Sequence, residues 1–246
     1  MNADSESTSS SISVRQGQSV ALRQNSLVAR GLRDIAQLDK MRADELLNRG
    51  KAFFDNGDYD KAIADFTEAV RLHVQYQAYH NRAWAYCKKE NYDKAIADCT
   101  EAIRLKSDYA MAYMGRGWVY AHTSDWDKAI ADYTEAIRLN PKLVPAYYNR
   151  GVAYNKKGNL DKAIADYKEA LRLDPKLAEA YYNRGCAYSD KGDYDKALAD
   201  YNEAIRLSPK YAKSYYNRGI AYREKGELDK AQLDFDHAKR LGFKPQ

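Results

Sequence analysis

The segments AYYNRGVAYNKKGNLDKAIADYKEALRLDPK, from Ala146, and AYYNRGCAYSDKGDYDKALADYNEAIRLSPK, from Ala180, are nearly the same text 34 residues apart. A third version starts at Ser214. A fixed period of this length constrains a chain more than any composition does, because each copy must be one supersecondary unit that buries its apolar face only by stacking on its neighbours. Extended outward, the period gives six copies: 43–75 (one residue short), 76–109, 110–143, 144–177, 178–211 and 212–245.

Within each copy the spacing predicts two helices. The first carries small or aromatic residues three and four apart, as in Tyr147, Gly151 and Tyr154. Gly57, Gly158, Gly192 and Gly226 follow it, where a left-handed cap suits a residue without a Cβ. Asp or Asn opens the second helix, which places Ala129, Tyr133 and Ala136 on one stripe. Pro141, Pro175 and Pro209 then stop it.

This pattern resembles the tetratricopeptide repeat family. Gly151, Tyr154, Ala163, Tyr167, Ala170 and Pro175 of copy four sit at the family's signature spacings, and the resemblance covers all six copies. Copy two departs from it with Ala83, Glu90 and Cys99, copy three with Ser124, and copies one, two and six lack the closing proline. The resemblance implies an all-α, right-handed superhelical solenoid of antiparallel helix pairs, with a concave groove lined by the first helices.

A polar regularity runs alongside. Arg49, Arg82, Arg116, Arg150, Arg184 and Arg218 share one place in the first helices, where the family more often has Leu. Asp65, Asp98, Asp132, Asp166, Asp200 and Asp234 share one place in the second. An ion pair inside each copy is the expectation; the alternative pairs each Asp with the Lys four residues earlier, as Lys162 with Asp166. In copy six, Gln232 and Lys239 replace the Ile and Leu found earlier at Ile164 and Leu171, which suits a face that closes the stack.

The groove carries the functional reading. Asn48, Asn81, Asn149, Asn183 and Asn217 recur at one place of the first helices, interrupted by Gly115 in copy three. An amide both donates and accepts, so a spaced ladder suits the backbone of an extended peptide. It is similar to the asparagine ladder of the O-linked N-acetylglucosamine transferase repeats; the plainer reading is that these amides satisfy local polar groups. Around the ladder, His80, Trp84, Met111, Met114 and Trp118 offer an apolar anchor, with core packing as the rival role for the indoles. Tyr148, Tyr182 and Tyr216 offer broad contact with a polar tip. The carboxylate clamp of chaperone-binding members needs Lys one residue before the ladder, and those places hold Leu47, His80, Met114, Tyr148, Tyr182 and Tyr216.

Composition narrows the remaining classes. Lys and Arg total 40 against 35 Asp and Glu, and Asp44, Asp55, Glu179, Asp190 and Glu224 fall near the groove, so no nucleic-acid partner is expected. There is no run of 18 apolar residues, so no membrane insertion is expected. No HExxH or phosphate-cradling loop occurs, and His80, Cys87 and His122 alone make a poor metal site. The expectation is therefore a non-enzymatic, cofactor-free and metal-free scaffold, with a segment of another protein as its ligand and no small-molecule substrate. The alternative is a chain that associates with itself through its N-terminal segment or the ends of its stack. Residues 1–25, rich in Ser and Gln, are expected to be disordered, and residues 26–42 to form a helix with Val28, Leu32, Ile35 and Leu38 on one side, able to cover copy one. Arg15, Arg23, Arg30 and Arg33 in an acid-poor stretch leave an organelle-targeting or export role open beside a cytoplasmic one.

Overall fold

The computed structural model describes the backbone of residues 4–244 and the side chains of residues 26–244. Twelve helices follow one another, with no strand among the described residues: α1 (Asp4–Asp55), α2 (Tyr59–Leu72), α3 (Tyr76–Lys88), α4 (Tyr92–Leu105), α5 (Ala110–His122), α6 (Trp126–Leu139), α7 (Val144–Lys156), α8 (Leu160–Leu173), α9 (Ala178–Asp190), α10 (Tyr194–Leu207), α11 (Ala212–Glu224) and α12 (Leu228–Arg240). The chain divides into two compact units between Ala85 and Tyr86.

In the first unit α1 and α2 pack as an antiparallel hairpin around Ala43, Leu46, Leu47, Phe66 and Ala69, with Ala78 and Ala85 of α3 completing the cluster. One helix runs unbroken from Asp4 to Asp55. The segment expected to lack structure up to residue 25 is thus helical from Asp4, and the boundary expected at 42/43 is absent; residues 1–3 lie outside the described residues. No proline occurs before Pro141, so nothing forces α1 to stop. Nor does residues 26–42 cover copy one. Leu27, Val28, Leu32, Ile35, Leu38 and Met41 are all more than half exposed.

In the second unit α5/α6, α7/α8, α9/α10 and α11/α12 pair within copies, and α4–α5, α6–α7, α8–α9 and α10–α11 pack between them. The first helices α5, α7, α9 and α11 also touch in succession, which makes them one wall. Close approach depends on small residues: Ala129, Ala136, Ala163, Ala170, Ala197 and Ala204 are fully buried. Gly117, Gly151, Gly185 and Gly219 each receive a ring from the second helix of their copy, and a Cβ added at Gly151 would lie 2.8 Å from Tyr167 Cε1.

Local signals read from the sequence hold at the ends of the helices. Asn91, Asp125, Asn159 and Asp193 each accept from the backbone N–H three residues on, capping α4, α6, α8 and α10. Gly158 adopts φ 74° after α7, and Glu90 and Ser124 take the same left-handed conformation, at φ 57° and 62°, without glycine's freedom.

The expected Arg–Asp pairing within a copy forms. Arg49, Arg116, Arg150, Arg184 and Arg218 each donate two bonds of 2.7–2.8 Å to Asp65, Asp132, Asp166, Asp200 and Asp234. The third nitrogen of the fork crosses to the preceding copy: Arg116 Nη1 to Thr100 Oγ1 at 3.1 Å, Arg150 Nη1 to Thr134 Oγ1 at 3.0 Å, Arg218 Nη1 to Asn202 Oδ1 at 2.6 Å. Tyr147 and Tyr154 lie 5.9 Å from the Arg150 guanidinium. A planar cation that binds a carboxylate, a hydroxyl and two rings at once fixes both the helix pair and its neighbour, which a Leu at this place does not do. The second helices form separate Glu–Arg pairs, such as Glu169–Arg172, rather than the Lys162–Asp166 pair weighed as the alternative.

Candidate functional site

The ladder asparagines occupy the first-helix layer, but they do not share one state. Asn48 is exposed, whereas Asn81, Asn149, Asn183 and Asn217 are half-buried. Asn183 Nδ2 donates to the Tyr148 hydroxyl at 2.9 Å, and Asn217 Nδ2 to the Tyr182 hydroxyl at 3.0 Å. In these two copies the amide spends a donor on joining neighbouring copies; Asn217 also donates to Cys186 Sγ at 3.3 Å and keeps its oxygen for a ligand, whereas Asn183 keeps its oxygen and second proton. Gly115 is buried.

Within the first unit a cavity of about 280 Å³ is lined by Lys51, Phe54, Asp55, Phe66, Asn81 and Trp84. Its floor is aromatic, and a carboxylate, an ammonium and a ladder amide stand at its rim. Within the second unit a cavity of about 200 Å³ is lined by Cys186, Ser189, Asp190, Tyr201, Asn217 and Ile220. The two sets correspond position for position in the repeat: Asn81 to Asn217, Trp84 to Ile220, Phe66 to Tyr201, Asp55 to Asp190. The repeat therefore builds the same pocket twice and varies its lining. Phe54, Asp55, Ser189 and Asp190 were not among the residues singled out as contacts, although Asn48, Lys51 and Asp55 stand at i, i+3 and i+7, the spacing of one helix face.

Two expected contacts are corrected. His80 is only 7% exposed in the first unit and Met114 8% in the second, so each is packed inside its own unit rather than at its surface. Burial lowers the His80 pKa to about 4, which keeps the ring neutral at pH 7. Trp84 and Trp118 are half-buried. Trp118 lies flat on His122 with ring centroids 3.5 Å apart, whereas Trp84 faces the first-unit cavity. Met111 is half-buried on the same helix as Trp118.

Tyr148 and Tyr182 are half-buried, each about 6 Å from the ring of its own second helix, Tyr167 and Tyr201. Tyr216 packs 4.5 Å from Phe243 and lines a cavity of about 580 Å³ with Phe235, Gln232, Asp236 and Lys239. Gln232 and Lys239 are exposed there, as their polarity led one to expect.

The thiols are held in their neutral form. Burial drives Cys87 up to about 12 and Cys99 higher still, and it raises Cys186 as well. Among the described residues no three His, Cys, Asp or Glu side chains are placed to hold a metal ion, and no helix is long and apolar enough to cross a membrane.

Models of the tetratricopeptide repeat match residues 47–110 and 212–241, and a TPR repeat model matches 117–158, 153–192 and 185–226. Among solved structures, a MamA protein is 25% identical with a TM-score of 0.64, covering 68% of this chain and 91% of its own. YrrB, described as a TPR protein with an unusual peptide-binding site, is 25% identical with a TM-score of 0.63, covering 72% and 91%. PilF of Pseudomonas aeruginosa shares the fold, with a TM-score of 0.74 at 16% identity over 82% and 93% of the two chains. No curated protein matches the chain. With repeat models covering most of its length, and helix pairs that stack as the repeat requires, this chain belongs to the tetratricopeptide repeat family.

Proposed function

We propose that the chain is a non-catalytic scaffold that holds an extended segment of a partner protein against its first helices. The observation that carries this reading is the duplicated pocket: the same repeat positions make a cavity around Asn81 and Trp84 and again around Asn217 and Ile220. A pocket that recurs at the same repeat positions suits a ligand with side chains projecting at intervals, such as an extended backbone. Ladder amides grip the backbone, and the aromatic pocket of Phe54, Phe66 and Trp84 takes a large apolar side chain. The likeness to YrrB, a protein whose description includes a peptide-binding site, supports the same use. Exposed carboxylates at Asp55 and Asp190 beside the pockets disfavour a nucleic-acid backbone. With His80 and Met114 buried, the contact set is Asn48, Asn81, Asn149, Asn183, Asn217, Trp84, Met111, Trp118, Tyr148, Tyr182 and Tyr216. The setting we propose is intracellular, without a cofactor.

The test is affinity capture with the full chain, the bound proteins identified by mass spectrometry, beside Trp84→Ala and Asn81→Ala. Partners captured by the wild type and lost by both variants, with the helical circular dichroism unchanged, are the expected result. Capture that is indifferent to both substitutions overturns the assignment.

A second reading, self-association, is favoured by the exposed stripe from Leu27 to Met41 on α1. It predicts a concentration-dependent mass in light scattering that Leu32→Ser with Ile35→Ser abolishes. A monomer at all concentrations excludes it.

A further inference from the structure

Three tyrosines and a carboxylate on the wall of the second unit form a group that a backbone-gripping ladder does not require. On α9, Glu179, Tyr182 and Asn183 stand at i, i+3 and i+4 and so share a face. Asn183 reaches the Tyr148 hydroxyl at 2.9 Å, and Asn217 reaches the Tyr182 hydroxyl at 3.0 Å. Tyr211, which caps the start of α11, meets the Tyr182 ring edge to face, with centroids 5.0 Å apart and planes at 73°. Two phenol oxygens are thus tied and the third ring is wedged, so the aromatic faces are set before a ligand arrives. All three rings are half-buried and Glu179 is exposed. Burial raises the pKa of Tyr148 and Tyr211, and the negative charge of Glu179 adds to the rise at Tyr148 and, after Tyr148 and Cys186, at Tyr211.

In the surrounding copies Asp161 pairs with Lys191, Asp193 with Lys196, Asp195 with Lys225, Asp200 with Arg184 and Glu203 with Arg206. Among the described residues Glu179 has no such cation, nor do Asp174 and Asp190; Glu179 differs in standing one turn from Tyr182 and Asn183 on α9. A carboxylate without a cation, one turn from Tyr182 and with its charge felt at Tyr148 and Tyr211, is an environment that an ammonium or guanidinium prefers.

We propose that Tyr148, Tyr182, Tyr211 and Glu179 form a subsite for a cationic side chain, Lys or Arg, of the bound segment. The proposal rests on the peptide reading above and adds the chemistry of one ligand residue to it. The ring faces supply the cation–π attraction, Glu179 supplies the opposite charge, and the ladder amides of Asn183 and Asn217 lie alongside to hold the flanking backbone. The partner is then a segment with a basic residue, not an acidic tail.

The experiment is a nuclear magnetic resonance titration of the full chain with four acetylated, amidated nine-residue alanine peptides whose central residue is arginine, lysine, norleucine or glutamate. The arginine and lysine peptides are expected to move the ring signals of Tyr148, Tyr182 and Tyr211 and to bind at least about fivefold more tightly than the norleucine peptide. Glu179→Gln is expected to reduce that preference below twofold, and Glu224→Gln, a carboxylate elsewhere in copy six, to leave it intact. Equal affinity for arginine and norleucine, silence of the three rings toward both cations, or loss of preference in both variants each overturns the subsite. The Trp84 indole signal reads the wider proposal separately. If it responds to the norleucine peptide while the rings show no cation preference, the peptide wall stands and the cage falls. If no peptide moves it while the rings do prefer cations, the cage stands and the wider wall falls.

Discussion

The Arg150 guanidinium holds Asp166 from two sides, Nε to Oδ2 at 2.8 Å and Nη2 to Oδ1 at 2.7 Å, while Nη1 donates to Thr134 of the preceding copy at 3.0 Å. The Asp166 side chain is 8% exposed and that of Arg150 17%. Removing only the cation leaves a carboxylate in a poor solvent for charge. Arg150→Leu should therefore cost about 3 kcal/mol, whereas Arg150→Leu with Asp166→Leu should recover most of it. Thr134→Val, which breaks the joint to the next copy and the hydroxyl's bond to the Ile130 carbonyl, should cost about 1 kcal/mol or less. Urea unfolding of the three variants checks the order, and a double variant no better than Arg150→Leu contradicts it.

His80 supplies a pH dependence. Its folded-state pKa is about 4, against an ordinary value of 6.5, so between these values the unfolded chain binds the proton and the folded chain does not. Stability of the first unit should be flat above pH 6.5, fall as pH drops toward 4, and lose on the order of 3 kcal/mol in all. Thermal melts of wild type and His80→Leu between pH 7.5 and 4.5 should diverge, with the shallower decline in the variant. Parallel curves would count against the assignment.

Glu90 and Ser124 hold left-handed backbone, at φ 57° and 62°, where the other copies place glycine. Glu90→Gly and Ser124→Gly should each stabilise the protein by about 1 kcal/mol, because relief of Cβ crowding outweighs the added freedom of the unfolded chain. A raised melting temperature in each variant is the expected reading, and a lowered one means the strain is absorbed elsewhere.

Gly151 has room for hydrogen only, since a Cβ would stand 2.8 Å from Tyr167 Cε1. Gly151→Ala should cost about 1–3 kcal/mol by forcing the ring aside. Adding Tyr167→Cys, the pairing that copy two writes as Ala83 and Cys99, should remove the clash and bring the loss down to that of the missing ring. If the double variant is no more stable than the sum of the two singles predicts, the glycine and the ring do not act as a pair.

Much of this architecture was legible because the repeat states each rule six times. Gly158 and Asn159 mark a cap and a start in one copy, and their recurrence turns a weak local signal into a boundary. The Arg–Asp pairing was readable for the same reason, since one matched pair of columns leaves few partners. Depth was not readable. His80, Met114, Tyr148, Tyr182 and Tyr216 share a register position, yet the first two are buried and the others half-buried. A tyrosine at that place is long enough to carry its hydroxyl out to the next copy's amide, as Tyr148 does to Asn183, whereas a Met ends beneath its neighbours. The end of α1 was also hidden. Ser- and Gln-rich composition argues against a core, not against a helix, and residues 4–25 lie in the same unbroken helix as the start of copy one.

The bonds from Asn183 to Tyr148 and from Asn217 to Tyr182 make these amides struts between copies as well as fingers for a guest. A guest that uses only their carbonyl oxygens leaves the struts fastened and finds a fixed rail. One that takes the donated protons must unfasten the joint on which it rests, so part of its grip is spent on loosening the protein. Which protons a natural partner takes therefore decides whether this scaffold stiffens or yields when it is loaded.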